Sequence, residues 1–124
     1  FSTSIFSERM MQFKVKIDEN KTKNKTIFFD RSIIDTIAYL NAYKKEIPEK
    51  WINIIKKNKY YNTIFYCPLW EDIHTNTNYR KESFKESENI DKYLISTYKK
   101  YKYTIHIIPK IKLTKRVDYI LKNI

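Results

Sequence analysis

The sequence contains no glycine among its 124 residues, and it has a single cysteine. Loops that bind phosphate through backbone N–H groups depend on glycine, so neither a Walker A loop nor a dinucleotide-binding fingerprint lies within this chain. A nucleophile elbow is excluded for the same reason. The lone Cys67 rules out an internal disulfide bond, favours a reducing compartment and is predicted to be a small core residue.

Long apolar runs are missing as well. No stretch approaches the roughly 18 residues of a membrane span, and no charged segment followed by an apolar one resembles a signal peptide. We therefore expect a cytoplasmic protein without a membrane partner. The first residue is Phe1 rather than methionine, which suggests that the chain belongs to a longer product.

Arginine is scarce in a strongly basic chain. The formal net charge is +11, from 25 basic and 14 acidic residues, and only four of the basic residues are arginine. A basic balance is typical of nucleic-acid partners. Here, however, the lysines are scattered along the whole chain among Asn, Ile and Tyr, so a nucleic-acid partner is the less favoured interpretation.

Apolar spacing predicts five helices and three strands, enough for one domain over residues 1–124. The helices are predicted over 4–20, 32–42, a segment beginning at Pro48, 79–101, and a last segment capped by Thr114. The strands are predicted over Thr26–Phe29, Thr63–Cys67 and Tyr103–Ile108. Strands that alternate with helices favour an α/β fold with a parallel sheet between helical layers.

The ends of these strands are the natural place for a ligand. Right-handed crossovers bring the carboxyl ends of parallel strands to one edge of the sheet, and ligands of open α/β sheets bind outside that edge. We therefore expect Asp30, Arg31, Cys67 and Pro109 to lie along one edge.

The string Thr26-Ile-Phe-Phe-Asp30-Arg31-Ser32 is the most informative one in the chain. A carboxylate directly after a buried strand is the Walker B arrangement, in which the acid binds Mg²⁺ directly or through water. The guanidinium of Arg31 offers a planar fork for phosphate or carboxylate. The alternative is that Asp30 only caps the following helix.

Five stretches of the chain follow one another in the order of a known family: Ile27–Leu40, Tyr60–Ile73, Arg80–Ser83, Ile108–Lys110 and Arg116–Leu121. Together they resemble a family of AAA-type P-loop ATPases related to the ribosylnicotinamide-kinase (NadR-like) domain. The resemblance covers roughly Ser4 to Leu121 and implies a P-loop NTPase-like three-layer sandwich.

The resemblance implies ATP and Mg²⁺ as cofactors and a small-molecule phosphoryl acceptor as substrate. Asp30 would hold Mg²⁺, Arg31 would face the acceptor, and Asp35 would support that pocket. Arg80 would sit in a mobile lid and reach the transferring phosphate.

The resemblance also places Pro109 and Lys110 near the nucleotide base, and it matches Arg116 without giving that residue a role. Three of the four arginines thus fall at family positions, which suggests a demand for their bidentate geometry. The alternative is that these arginines make structural salt bridges.

The departures from the family are equally informative. Its glycine-rich phosphate loop would lie upstream of Phe1. The family's acidic residue just before the lid arginine is missing, since Asn76-Thr77-Asn78-Tyr79 precedes Arg80, and Tyr101-Lys102-Tyr103 replaces a glycine before the last strand. We therefore expect an incomplete P-loop domain, inactive as this chain alone. The alternative is a non-catalytic basic module that binds phosphorylated or nucleic-acid partners.

Overall fold

The computed structural model describes residues 2–20, 25–68 and 78–124, with all of their side chains except those of residues 2 and 78–83. The helices are α1 (Ser2–Asn20), α2 (Ile33–Ala42), α3 (Glu49–Lys57), α4 (Asn78–Lys100) and α5 (Leu113–Lys122). The strands are β1 (Thr63–Tyr66) and β2 (Thr104–Ile107). Contacts divide the chain into two compact units, Phe1–Lys57 and Asn58–Ile124. No helix in the described ranges is long and apolar enough to cross a membrane.

The first unit is built from the apolar faces of α1, α2 and α3. Phe6, Met10 and Phe13 of α1 are buried, as their spacing of four and three residues predicts. The ring of Phe6 stacks on Trp51 of α3 with ring centroids 4.2 Å apart and planes 3° from parallel. The same spacing predicts that Ile17 is buried, but Ile17 is 42% exposed. The buried apolar face of α1 therefore ends at Phe13, one turn before Ile17.

Helix α2 supplies the centre of this core and has a well-formed beginning. Ile33, Ile34 and Ile37 are almost fully buried, and each stabilises the fold by about 1.5–3 kcal/mol relative to an exposed side chain. Ser32 is the N-cap, since its Oγ accepts a hydrogen bond from the backbone N–H of Ile34 at 3.1 Å. The alternative that Asp30 caps this helix is therefore wrong.

Ser32→Ala is expected to lower the free energy of unfolding by about 1 kcal/mol, because an N–H in the first turn of α2 loses its acceptor. Chemical unfolding followed by circular dichroism measures the change. Thr114→Ala is the matched control, since α5 begins at Leu113 with Lys112 as its N-cap and no side-chain cap. The prediction that Thr114 caps the last helix was wrong, and a loss at Thr114 equal to that at Ser32 would contradict the structure.

The second unit contains a two-stranded parallel sheet with α4 as its connection. Thr63 lies opposite Thr104 and Tyr66 opposite Ile107, which confirms the prediction of a parallel sheet. Helix α4 contacts β2, and Tyr103 and Ile108, which flank that strand, are buried.

The predicted strand Thr26–Phe29 is not a strand in the structure. Residues 25–29 form neither a helix nor a strand, and Phe28 is 60% exposed. A strand needs a neighbour for its N–H and C=O groups, and in the described ranges the sheet consists of β1 and β2 alone. The fold is therefore mixed α/β with a parallel sheet, compatible with a P-loop NTPase-like fold. The three-layer arrangement and its incompleteness stay predictions.

Candidate functional site

A bend at Asp30 and Arg31, which we call the Asp30–Arg31 corner, joins residues 25–29 to α2. Both side chains are exposed, and Arg31 adopts the left-handed backbone conformation with φ of 68°. That conformation costs a residue with a Cβ about 1–2 kcal/mol. Strain of this kind concentrates at functional positions, where the surrounding structure maintains it.

Arg9 of α1 forms hydrogen bonds with the beginning of α2, directly after the Asp30–Arg31 corner. Its Nη1 donates hydrogen bonds to the carbonyl oxygen of Ser32 at 3.2 Å and to Oγ1 of Thr36 at 3.3 Å. Sequence reasoning missed this role because Arg9 is the one arginine outside the family stretches. The signal that could have found it is the scarcity of arginine itself, since one guanidinium here donates to two acceptors on neighbouring turns.

An open pocket of about 350 Å³ borders Asp30. Its lining combines apolar side chains of residues 27–29 with an amide and an ammonium group from α1. The residues are Gln12, Lys16, Ile27, Phe28, Phe29 and Asp30. A ligand here would meet an aromatic surface and a positive charge next to the carboxylate.

Asp30 fits the demands of Mg²⁺ as a single protein ligand. No group of three or more His, Cys, Asp or Glu side chains in the described ranges could hold a metal ion by itself. Mg²⁺ does not require such a group, because it commonly binds one or two carboxylates together with water and substrate phosphates. Asp35 is less suited, since its Oδ1 accepts a hydrogen bond from Oγ of Ser32 at 3.3 Å.

In the second unit, the residues that follow β1 and β2 meet at one edge of the sheet. The N–H of Ile108, the residue after β2, donates to the carbonyl oxygen of Tyr66, the last residue of β1, at 2.9 Å. Cys67, Pro109 and Lys110 lie just beyond this point. Cys67 is exposed, so the prediction of a core cysteine was wrong, because β1 ends one residue before it.

Asp30 and Arg31 follow residues 25–29, which pair with no strand and lie in the first unit. Cys67 and Pro109 follow paired strands in the second unit. The edge prediction therefore holds for the residues after β1 and β2, and for Asp30 and Arg31 it stays a prediction.

The hydroxyl of Tyr66, the last residue of β1, donates a short hydrogen bond to Oδ2 of Asp91 in α4. Burial raises the pKa of the Asp91 carboxyl above its usual range, and the Tyr66 hydrogen bond partly opposes that rise. Sequence reasoning missed this pair, because Asp91 reads as a polar residue on a solvated helix face.

Tyr66→Phe is expected to cost about 1.5–3 kcal/mol of unfolding free energy at pH 7, since it leaves a partly buried carboxylate without its donor. A raised native pKa favours the protonated carboxyl, so its contribution to stability is present at low pH and is lost as pH rises through the native pKa. Asp91→Asn keeps an acceptor without the charge, and its stability relative to wild type should therefore rise between pH 4 and pH 7.

Urea unfolding at both pH values measures these effects, with Tyr61→Phe as the control because Tyr61 is 78% exposed. Equal losses for the Tyr66 and Tyr61 variants, or an Asp91→Asn effect independent of pH, would contradict the pairing.

The remaining candidate residues are placed as follows. Arg80 lies in the first turn of α4, and its side chain is outside the described residues, as is His74. Arg116 is half-buried in α5. His74 and His106 lie far apart in the sequence, which favours a packed or surface role for His106 over metal binding. In the structure, His106 packs against Phe65 with ring centroids 5.8 Å apart.

A family model described as an AAA domain matches residues 2–116. No curated protein and no solved structure matches the chain.

Proposed function

The chain belongs to the AAA domain family, and on that premise we propose that it forms part of a nucleotide-binding domain with ATPase or small-molecule kinase-like activity. The observation that carries the proposal is the Asp30–Arg31 corner within the matched residues, where a strained backbone presents a carboxylate and a guanidinium side by side. The resemblance to the ribosylnicotinamide-kinase domain adds a small-molecule phosphoryl acceptor to this proposal.

Each polar residue has a distinct task in this proposal. Asp30 holds Mg²⁺, which when bound neutralises charge on the nucleotide phosphates. Arg31 binds the acceptor or its acidic group through its two-pronged guanidinium. Asp35 orients the beginning of α2 by accepting from Ser32, so its support of the pocket is indirect.

Two further contributions come from the second unit. Arg80, at the start of α4, stabilises the transferring phosphoryl group from a lid. Pro109 and Lys110, which follow β2, contact the nucleotide base. The exposure of Pro109 and Lys110 leaves them accessible to such a ligand.

We propose that the phosphate loop is supplied by polypeptide outside these 124 residues. The chain has no glycine, and a phosphate cradle requires backbone N–H groups that converge without interfering Cβ atoms. The chain contributes the metal-binding acid and the lid, and the supplied segment contributes the cradle and its lysine.

The 124-residue chain alone is therefore expected to bind Mg²⁺·ATP very weakly and to show no turnover above a no-enzyme control. A protein produced from the longer coding sequence, with a glycine-rich loop upstream, is expected to turn ATP over. Phosphate release measured on both proteins at equal concentration tests this. If the chain alone turned ATP over and Asp30→Ala abolished that turnover, the proposal that another segment supplies the phosphate loop would be wrong.

A further inference from the structure

A second surface lies at the amino ends of the two strands, away from the edge that carries Cys67 and Pro109. The N–H of Thr104 donates to the carbonyl oxygen of Asn62 at 2.8 Å, so the segments that precede β1 and β2 run side by side. Segments 58–62 and 98–103 contain four exposed lysines and no acidic residue. These lysines are Lys59, Lys99, Lys100 and Lys102, and we call them the lysine cluster.

Aromatic rings and a backbone carbonyl order part of the lysine cluster. Nζ of Lys59 donates to the carbonyl oxygen of Tyr101 at 2.7 Å and lies 4.9 Å from the ring centroid of Tyr103. Nζ of Lys100 lies 5.9 Å from the ring centroid of Tyr101. Burial raises the pKa of the Tyr101 and Tyr103 phenols, so neither ring supplies a negative charge. Ordered lysines lose less side-chain entropy when an anion binds.

Lys102 has a left-handed backbone conformation, which is unfavourable for a residue with a Cβ. Its φ is 67°, and its N–H donates to the carbonyl oxygen of Lys99 at 2.9 Å where α4 ends. Glycine or asparagine is the usual residue in this left-handed position. The chain uses asparagine elsewhere, including at Asn58 and Asn62, yet a fourth lysine occupies this one.

Tyr61 is an exposed aromatic residue two positions from Lys59. Its side chain is 78% exposed, and its segment 58–62 runs beside segment 98–103. Cationic side chains with an accessible ring nearby are the combination by which proteins bind single strands, with phosphates on the cations and a base on the ring.

We propose that the lysine cluster and Tyr61 bind single-stranded nucleic acid, independently of the proposed nucleotide site. The chain-wide scatter of lysines hides this surface in the sequence, because residues 59 and 99–102 meet only when β1 pairs with β2. A bilayer surface fits less well, since it favours an apolar helix face and the exposed large side chain of this surface is a single tyrosine.

Fluorescence anisotropy of the full 124-residue chain with a labelled oligouridine of about 12 nucleotides tests the proposal. Dissociation constants of about 10⁻⁶ to 10⁻⁴ M are expected at physiological salt, as for non-specific complexes. Replacing Lys99, Lys100 and Lys102 with Gln should weaken binding at least about tenfold. The same change should reduce the slope of log K against log salt by about 2, since each phosphate contact contributes about 0.7 for single strands.

Two matched controls distinguish binding at the lysine cluster from binding through the overall positive charge of the chain. Replacing the exposed Lys14, Lys45 and Lys50 with Gln removes the same charge from the first unit and should change affinity less than about twofold. Tyr61→Ala should weaken binding about tenfold, whereas Tyr61→Phe, which keeps the stacking face, should bind like wild type.

Equal losses for the two triple variants, or unchanged binding by Tyr61→Ala, would overturn the proposal. Binding to vesicles with anionic headgroups that is tighter than to oligouridine and indifferent to Tyr61 would also overturn it. If circular dichroism shows that the Lys99, Lys100 and Lys102 variant is unfolded, the Tyr61 pair decides, because that exposed side chain is not required for folding.

Discussion

Arg80→Ala is expected to lower kcat at least ~10²-fold, with little change in nucleotide affinity, in a protein that carries the glycine-rich loop. The size is typical for the loss of one group that stabilises a transition state. A lid arginine meets charge that develops mainly as the phosphoryl group transfers, so its loss affects turnover more than ground-state binding. Steady-state kinetics with a direct nucleotide titration separates the two effects.

The conservative change sharpens this test. Arg80→Lys keeps the charge and loses the planar fork, so kcat should also fall. Arg116→Ala is the control arginine, because Arg116 is half-buried in α5 and its loss should change stability more than turnover. A kcat near wild type for Arg80→Ala would show that the lid assignment is wrong.

Asp30→Asn is expected to lower kcat at least ~10²-fold in the same protein and to raise the Mg²⁺ concentration needed for half-maximal rate. The amide keeps the shape of the carboxylate but loses the negative charge that a hard divalent cation requires. Because Asp30 is exposed and Ser32 caps α2, the fold should be unaffected.

Asp118→Asn is the matched control for this change, since Asp118 is an exposed carboxylate in α5. Kinetics over a range of Mg²⁺ concentrations measures both variants. Equal Mg²⁺ dependence in the Asp30 variant and wild type would exclude Asp30 as the metal-binding acid.

Local patterns predicted the helices of this fold well. Apolar spacing placed α1 and α4, and Pro48 marked the start of α3, because burial of one face and the conformational limits of proline act within a few residues. The segment Thr26–Phe29 shows the limit of such reasoning. An apolar run indicates that a segment could form a strand. A strand also needs a neighbouring strand to pair with, and no local pattern specifies that neighbour.

The candidate site divides in the same way. The sequence shows that Asp30 and Arg31 are neighbours. It does not show that Arg31 has a left-handed backbone conformation or that both side chains are exposed. The hydrogen bonds of Arg9 to the start of α2 and of Tyr66 to Asp91 join residues more than 20 positions apart. Contacts of that separation depend on the packing of whole elements, so polar residues that make them look like ordinary surface residues in the sequence.

One titration tests directly whether Asp30 binds Mg²⁺ at the proposed nucleotide site. Calorimetry of ATP binding to the protein with its glycine-rich loop, with Mg²⁺ and with a chelator, gives the contribution of the metal to nucleotide affinity. We predict tighter binding with Mg²⁺ in the wild type and loss of that difference in Asp30→Asn. An equal Mg²⁺ effect in both proteins, or no ATP binding by the wild type, would contradict the account.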